Sequence, residues 1–241
     1  MDWKRLLIAS AIGLASLSST YAQSDHFGVW TDITLEHKIN KKLGVAFDAE
    51  YRTTDGLSQS DRISGTLEAE YRLLSWLKAS GGYSLIYNWN DYEITKKGNI
   101  VSDYWQLRHR FFVSLTGSLS WNRFKFSLRE RWQYTYRPEN TVTKHDEDGD
   151  LKPDEIIKGK GKNVLRSRLK VEYDIKGIPV TPFASYELHY SSELDKNRWI
   201  AGGEYKINKK NSIELYYLYQ DVKDDDELNG HAIGISYKLK L

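Results

Sequence analysis

Six arginines occupy alternate positions in three segments of the chain, a spacing that would suit pairing with carboxylates or binding of anions. They are Arg108 and Arg110, Arg129 and Arg131, and Arg166 and Arg168. Alternate residues of a β-strand share one face, and carboxylates repeat in the same way at Asp48, Glu50, Glu68 and Glu70. If these side chains line one interior, two roles are open. They form salt bridges that fix its shape, or they create an electric field or anion site for small solutes, for which arginine's bidentate geometry is suited.

A serine, a histidine and a glutamate form a second candidate site. A two-residue turn at Leu119-Ser120 would place His109 opposite Glu130, on the face away from the arginines, and Ser167 falls on that face too. The set resembles the lipid-facing catalytic groups of outer-membrane phospholipase and lipid A deacylase barrels. In that reading Glu130 orients His109, which activates Ser167 against an acyl ester. The alternatives are a harmless His–Glu pair or a β-bulge that turns Glu130 inward.

An acidic segment at residues 145–155 is a candidate calcium site. Its carboxylates surround Gly149 with a spacing similar to that of calcium-binding loops, and the candidate ligands are Asp146, Asp148, Asp150 and Asp154. The residue twelve places along, Ile157, is not the glutamate of an EF-hand. The segment is therefore either a weak external Ca2+ site or a solvated acidic loop, and no other cofactor is expected.

Period-two alternation of apolar and polar residues predicts strands through the remainder of the chain. The last segment places Ile233, Ile235, Tyr237 and Leu239 on one face, with small or polar residues on the other. Eleven segments follow this pattern, at residues 27–38, 43–52, 63–72, 77–89, 105–117, 123–137, 164–175, 180–190, 198–207, 212–221 and 230–241. Short turn-rich links alternate with longer polar links between them.

These strands predict an all-β fold, a transmembrane antiparallel up-and-down β-barrel of about 10–12 strands with short periplasmic turns and longer external loops. The composition is compatible with it: 28% of residues are charged and the mean hydropathy is −0.62, but only alternate residues of a barrel meet lipid. The 17 tyrosines and 8 tryptophans suit interfacial aromatic girdles. Eleven is an odd count where an even one is expected. A secreted soluble β-sandwich is the rival fold.

The N-terminal residues predict export. Lys4 and Arg5 precede an apolar stretch, and a small-residue cleavage site ends at Ala22. We therefore expect a signal peptide at 1–22 and a barrel at 23–241, located in the outer membrane. The absence of cysteine excludes a lipoprotein anchor, disulfides and thiol chemistry. Expected partners are outer-membrane lipid, lipopolysaccharide and, during insertion, the barrel-assembly machinery; a net charge of +2 gives no argument for nucleic acid.

The chain resembles an uncharacterised family of small Gram-negative outer-membrane β-barrels, domain of unknown function twenty-four ninety. The likeness rests on its length, the signal peptide, Trp30 in the first strand, and the arginine-rich segments at 107–111 and 165–169. It implies the fold and the location, and no activity. We expect a passive role, either structural or as a narrow charged-lumen channel or binding protein for small anionic solutes. A lipid-facing acyl hydrolase is the alternative.

Overall fold

The computed structural model describes residues 26–223 and 229–241, and the predicted signal peptide lies outside them. The described chain forms β1 (His26–Lys38), β2 (Leu43–Thr54), β3 (Gln59–Arg72), β4 (Leu77–Asn90), β5 (Glu93–Ile94), β6 (Ile100–Val101), β7 (Tyr104–Trp121), β8 (Phe124–Arg137), β9 (Asn140–His145), β10 (Leu151–Ile157), β11 (Lys160–Tyr173), β12 (Val180–Tyr190), β13 (Leu194–Lys206), β14 (Asn211–Val222) and β15 (Gly230–Lys240). No helix in this part of the chain is long and apolar enough to cross a membrane.

Eleven of these strands close into a barrel, in the order β1-β2-β3-β4-β7-β8-β11-β12-β13-β14-β15. They correspond to the eleven segments predicted from alternation, so the odd count is confirmed and the expectation of an even number was wrong. Neighbours are antiparallel except at the seam, where β1 and β15 run parallel, with Trp30 opposite Gly234. An odd number of alternating strands leaves the first and last pointing the same way, and a parallel ladder still satisfies their backbone groups.

The barrel wall separates an apolar outer face from a charged lumen. Outward side chains such as Leu67, Leu115, Leu128 and Leu215 are more than half exposed, which is the inside-out distribution of a transmembrane barrel. Aromatic residues gather outside near both ends of the strands, which fits two interfacial girdles. They include Tyr71, Trp76, Trp121 and Phe124 near the short turns and Tyr51, Tyr87, Trp132 and Trp199 towards the long loops.

The hairpin between β7 and β8 has a different register from the one predicted. Its turn is Asn122-Arg123, with Trp121 opposite Phe124, and not Leu119-Ser120. Asn122 has a φ of 54°, a conformation that two-residue hairpin turns require and that asparagine tolerates better than leucine or serine. The strands are therefore longer than expected, and each residue of β7 faces a partner six positions further along β8.

The remaining four strands form a small sheet in the order β10-β9-β6-β5 at the long-loop end. They come from the two longest loops, 91–103 and 138–159, and β6 pairs with β9 to join those loops. Gln106 holds this sheet to the barrel by donating from Nε2 to the Pro138 carbonyl at 3.1 Å. The mouth of the barrel at this end is thus lined by this small sheet as well as by the barrel strands. The sheet of β5, β6, β9 and β10 is called the lid below.

Candidate functional site

Four of the predicted arginines form one group on the lumen side of β8 and β11. The outward positions of these strands are apolar, for example Leu128 and Leu169, so the residues between them point inward. In the ladder Arg131 lies opposite Arg166, and Arg129 lies opposite Arg168. Directly opposed like charges destabilise a sheet, so this arrangement needs compensation from other groups.

Glu187 of β12 supplies most of that compensation. Its carboxylate accepts from Arg129 Nη2, Arg166 Nη2 and His189 Nε2, each at 2.7 Å, and Arg198 Nη1 lies 3.8 Å away. The Glu187 side chain is only 3% exposed. One buried carboxylate is therefore shared by two close guanidinium groups, which is the kind of contact that stabilises a buried charge.

The other two arginines of the group are compensated unequally. Arg131 Nη2 reaches Glu68 Oε2 at 3.3 Å, its Nε donates to Ser114 Oγ at 2.8 Å, and its guanidinium lies over the Phe112 ring at 3.9 Å. Arg168, half-buried, makes no hydrogen bond or ion pair with any residue that the structure describes. The buried Nε–H groups of Arg129 and Arg166 also lack an acceptor within the described chain. The group retains capacity to bind an anion.

Arg108 and Arg110 lie nearer the long-loop end, apart from this group. The predicted pairs Arg110/Arg129 and Arg108/Arg131 do not exist, because of the register of the β7–β8 hairpin; Arg110 lies opposite Thr135 and donates to its Oγ1 from Nε at 3.0 Å. Arg108 is 8% exposed. Arg110 lines the large cavity between the arginines and the predicted carboxylates, which is described below. Arg108 does not line that cavity but lines a smaller one of about 80 Å3.

The predicted carboxylates point into the lumen from β2 and β3, with Asp32 of β1 beside them. Each of these five carboxylates contacts another side chain, but only three of them contact a cation. Three of them form ion pairs: Glu50 with Arg52 Nη2 at 2.7 Å, Glu70 with Lys78 Nζ at 2.8 Å, and Glu68 with Arg131. The other two accept hydrogen bonds from hydroxyl groups. Asp48 accepts from Thr34 Oγ1 at 2.9 Å, and Asp32 accepts from Ser236 Oγ at 2.6 Å. These five carboxylates (Asp32, Asp48, Glu50, Glu68 and Glu70) are called the acidic wall below.

A central cavity of about 740 Å3 lies between the acidic wall and the arginines. Twelve lysine or arginine side chains and six carboxylates line it, so the lining has a surplus of positive charge: Lys38, Arg52, Arg62, Arg72, Lys78, Arg110, Arg129, Arg131, Arg166, Arg168, Lys238 and Lys240 against Asp32, Glu36, Asp48, Glu50, Glu68 and Glu70. The cavity extends to the strand ends at the short turns, where Lys38 and Arg72 lie.

Buried side chains separate this cavity from a second one of about 490 Å3 beneath the lid. Arg52 lines both cavities, and its guanidinium lies 3.7 Å from the centre of the Trp30 ring. Ile86, Phe112 and Leu218 are almost fully buried inside the lumen. These apolar residues at inward positions were not predicted from the sequence, because the lumen-facing side chains of each strand were expected to be polar.

The structure does not assemble the predicted Ser–His–Glu set. Ser167 lies opposite Glu130 and donates to its carboxylate at 2.6 Å. His109 lies opposite Tyr136, six residues and roughly 20 Å along β8 from Glu130, and its Nδ1 is within 2.7 Å of the Tyr83 hydroxyl. The predicted His109/Glu130 pair was wrong for the same reason as the arginine pairs. Glu130 faces outward with Leu115 opposite it, so the predicted inward bulge is also absent from this hairpin.

The acidic loop forms the hairpin turn between β9 and β10. Asp146 accepts from the Asp150 amide at 2.8 Å and from Lys152 Nζ at 2.6 Å, and Gly149 supplies a φ of 87°. The Lys152 hydrogen bond holds the pKa of Asp146 below its ordinary value. Among the described residues no three acidic or histidine side chains are grouped so as to hold a metal ion. The set Asp146, Asp148, Asp150 and Asp154 is therefore not gathered into the predicted calcium site.

An apolar exterior, a closed sheet and a charged lumen define this protein as a transmembrane β-barrel. The chain belongs to the family of proteins of unknown function DUF2490, which matches residues 27–230. It is also similar to two solved structures. The β domain of the Bordetella autotransporter Brka shares 13% identity over 81% of this chain and 78% of that one, with a TM-score of 0.49. The NanC porin shares 14% identity over 90% and 98%, also with a TM-score of 0.49. No curated protein matches the chain.

Proposed function

We propose that this protein is exported by its N-terminal signal peptide, resides in the outer membrane, and binds small anionic solutes in its central cavity. This location entails insertion by the barrel-assembly machinery and contact of the apolar outer face with phospholipid and lipopolysaccharide. The short-turn end then faces the periplasm. The cavity is reached from that end, so its solutes would enter from the periplasmic side.

The observation that carries the proposal is the group of Arg129, Arg131, Arg166 and Arg168. Three of these four guanidinium groups contact the carboxylates of Glu68 and Glu187, and Arg168 contacts neither. An anion in the cavity would relieve the mutual repulsion of these arginines and receive charge-assisted hydrogen bonds from their free N–H groups. A cavity of about 740 Å3 is within the range of small-molecule sites.

Binding is favoured over free passage because the lumen is narrowed above the cavity. Trp30, Ile86 and Leu218 are buried there, and side chains in such a layer must move before a solute could pass between the two cavities. In planar bilayers we therefore expect small or no steady conductance, and anion selectivity in any conductance that appears.

The test is calorimetric titration of the refolded protein in detergent micelles with glutarate, a small dicarboxylate. We expect binding, and a loss of about tenfold or more in affinity for Arg168→Gln, the size of a charge-assisted hydrogen bond. Lys41→Gln is the matched control, because it removes one positive charge from an exposed turn outside the cavity. Absence of glutarate binding to the unchanged protein, or equal affinities for Arg168→Gln and Lys41→Gln, would overturn the proposal.

A further inference from the structure

We infer that the central cavity selects zwitterionic solutes, which carry an ammonium group as well as an anionic group. This inference rests on the proposed function and specifies its substrate class. Anion binding by the arginines alone would accept any small anion. The acidic wall on the other side of the same cavity adds a second requirement.

The two charged surfaces face each other across the lumen. In the barrel order, β1 and β2 are separated from β8 and β11 by three strands on one side and by four on the other. Asp32 and Asp48 therefore lie across the barrel from Arg129 and Arg168, and all four side chains line the central cavity. A solute that spans the cavity between these side chains would meet opposite charges at its two ends.

The acidic side has carboxylates that ion pairs do not satisfy. Asp32 and Asp48 accept hydrogen bonds from the hydroxyls of Ser236 and Thr34, and neither forms an ion pair with a residue that the structure describes. The neighbouring charged groups of Asp32 include the carboxylates of Asp48, Glu50 and Glu214. Like charges held together at a partly buried surface are costly unless a cation joins them.

An ammonium group between Asp32 and Asp48 would supply that cation. Its three N–H donors can reach two carboxylates at once, while the anionic end of the same molecule pairs with Arg168. Both unsatisfied sets are then neutralised by one solute of no net charge. The chemical class is that of amino carboxylates whose two charges are separated by several bonds, such as ω-amino acids and short peptides.

The test compares ε-aminocaproate with caproate, which differs from it only by the ammonium group. For the unchanged protein we expect at least about tenfold tighter binding of ε-aminocaproate, equivalent to about 1.4 kcal/mol. The double variant Asp32→Asn/Asp48→Asn should lose this preference and keep caproate binding. The matched control is Asp148→Asn/Asp150→Asn, which removes two exposed carboxylates from the lid and should keep the preference. The heat-induced shift in gel mobility of a folded barrel confirms that each variant is folded.

The outcomes separate the inference from the proposed function. If glutarate and caproate bind but ε-aminocaproate has no advantage, the inference is overturned and anion binding stands. If the advantage survives in Asp32→Asn/Asp48→Asn, the acidic wall is not its source and the inference is likewise overturned. If no anion binds at all, the proposed function itself fails.

Discussion

Replacing Glu187 by glutamine should destabilise the barrel more than any other single carboxylate change in its lumen. The substitution keeps the shape of the side chain and removes its charge. Arg129 and Arg166, which now share this carboxylate at 2.7 Å, would be left as two close cations with a neutral amide between them. His189 would also lose its charged acceptor at 2.7 Å.

The magnitude follows from burial. Glu187 is 3% exposed and the two arginine side chains are each 14% exposed, so solvent screens the unpaired charges poorly. Breaking a buried ion pair by removing one partner costs about 3–5 kcal/mol, and we expect a loss in that range. Glu172→Gln is the matched control, because Glu172 pairs at 2.7 Å with a Lys125 side chain that is 52% exposed; there we expect a loss of about 1 kcal/mol or less.

The assay is equilibrium unfolding in urea of protein refolded into phospholipid vesicles, followed by tryptophan fluorescence. A second arm tests the cause, because Arg166→Gln added to Glu187→Gln removes one of the uncompensated cations. The double variant should lose less stability than the sum of the two single changes. If Glu187→Gln costs no more than Glu172→Gln, or if the two changes simply add, the buried carboxylate is not what holds the arginines in place.

Three further predictions concern the outer wall and the lid. Glu130→Leu should stabilise the barrel in vesicles by about 1–2 kcal/mol, because a carboxylate facing lipid near mid-strand is costly; an unchanged or lower unfolding free energy would contradict this. Ser167→Ala should not reduce any phospholipid hydrolysis measured with the refolded protein, because His109 contacts Tyr83 and is remote from Ser167. The pKa of Asp146 is lower in the folded protein than its ordinary value of 3.8. The ionised carboxylate therefore stabilises the lid hairpin fully above about pH 3.8, and this stabilisation is lost as the pH falls through the pKa of the folded protein. Hydrogen exchange of the Asp150 amide should therefore retain its protection when Ca2+ is added or removed at neutral pH and lose it in acid.

Much of the wall could be predicted from sequence because alternation is a local signal. The outward face of β15, with Ile233, Ile235 and Tyr237, can be identified from consecutive residues alone. The inward direction of the arginines and of the predicted acidic residues follows in the same way. The eleven alternating segments of the sequence also gave the correct odd number of strands, although bacterial barrels were expected to have an even number.

Register and contacts across the lumen could not be predicted in the same way. The position of one turn fixes every pair in a hairpin. The predicted turn at Leu119-Ser120 paired His109 with Glu130 and Arg110 with Arg129, whereas the observed turn at Asn122-Arg123 separates both pairs. The φ > 0 tolerance of asparagine was the available signal for the correct turn. No comparable local signal indicates that Glu187 reaches past β11 to Arg129 on β8, because that contact depends on the registers with which β8 and β12 both pair with β11.

The distribution of charge in the lumen bears on whether the interior only supports the barrel. An interior selected for support alone would place arginines and carboxylates opposite each other on neighbouring strands, where cross-strand pairs stabilise a sheet. This barrel does place Glu187 opposite Arg168 and Arg198 on the neighbouring strands. Between β8 and β11, however, it places arginine opposite arginine twice, and most of the acidic wall lies on the far side of a cavity. The opposed arginines lower the stability of the sheet and leave positive charge facing the cavity. Proteins depart from local stabilising rules chiefly at functional sites, so these opposed arginines argue that the cavity binds a solute.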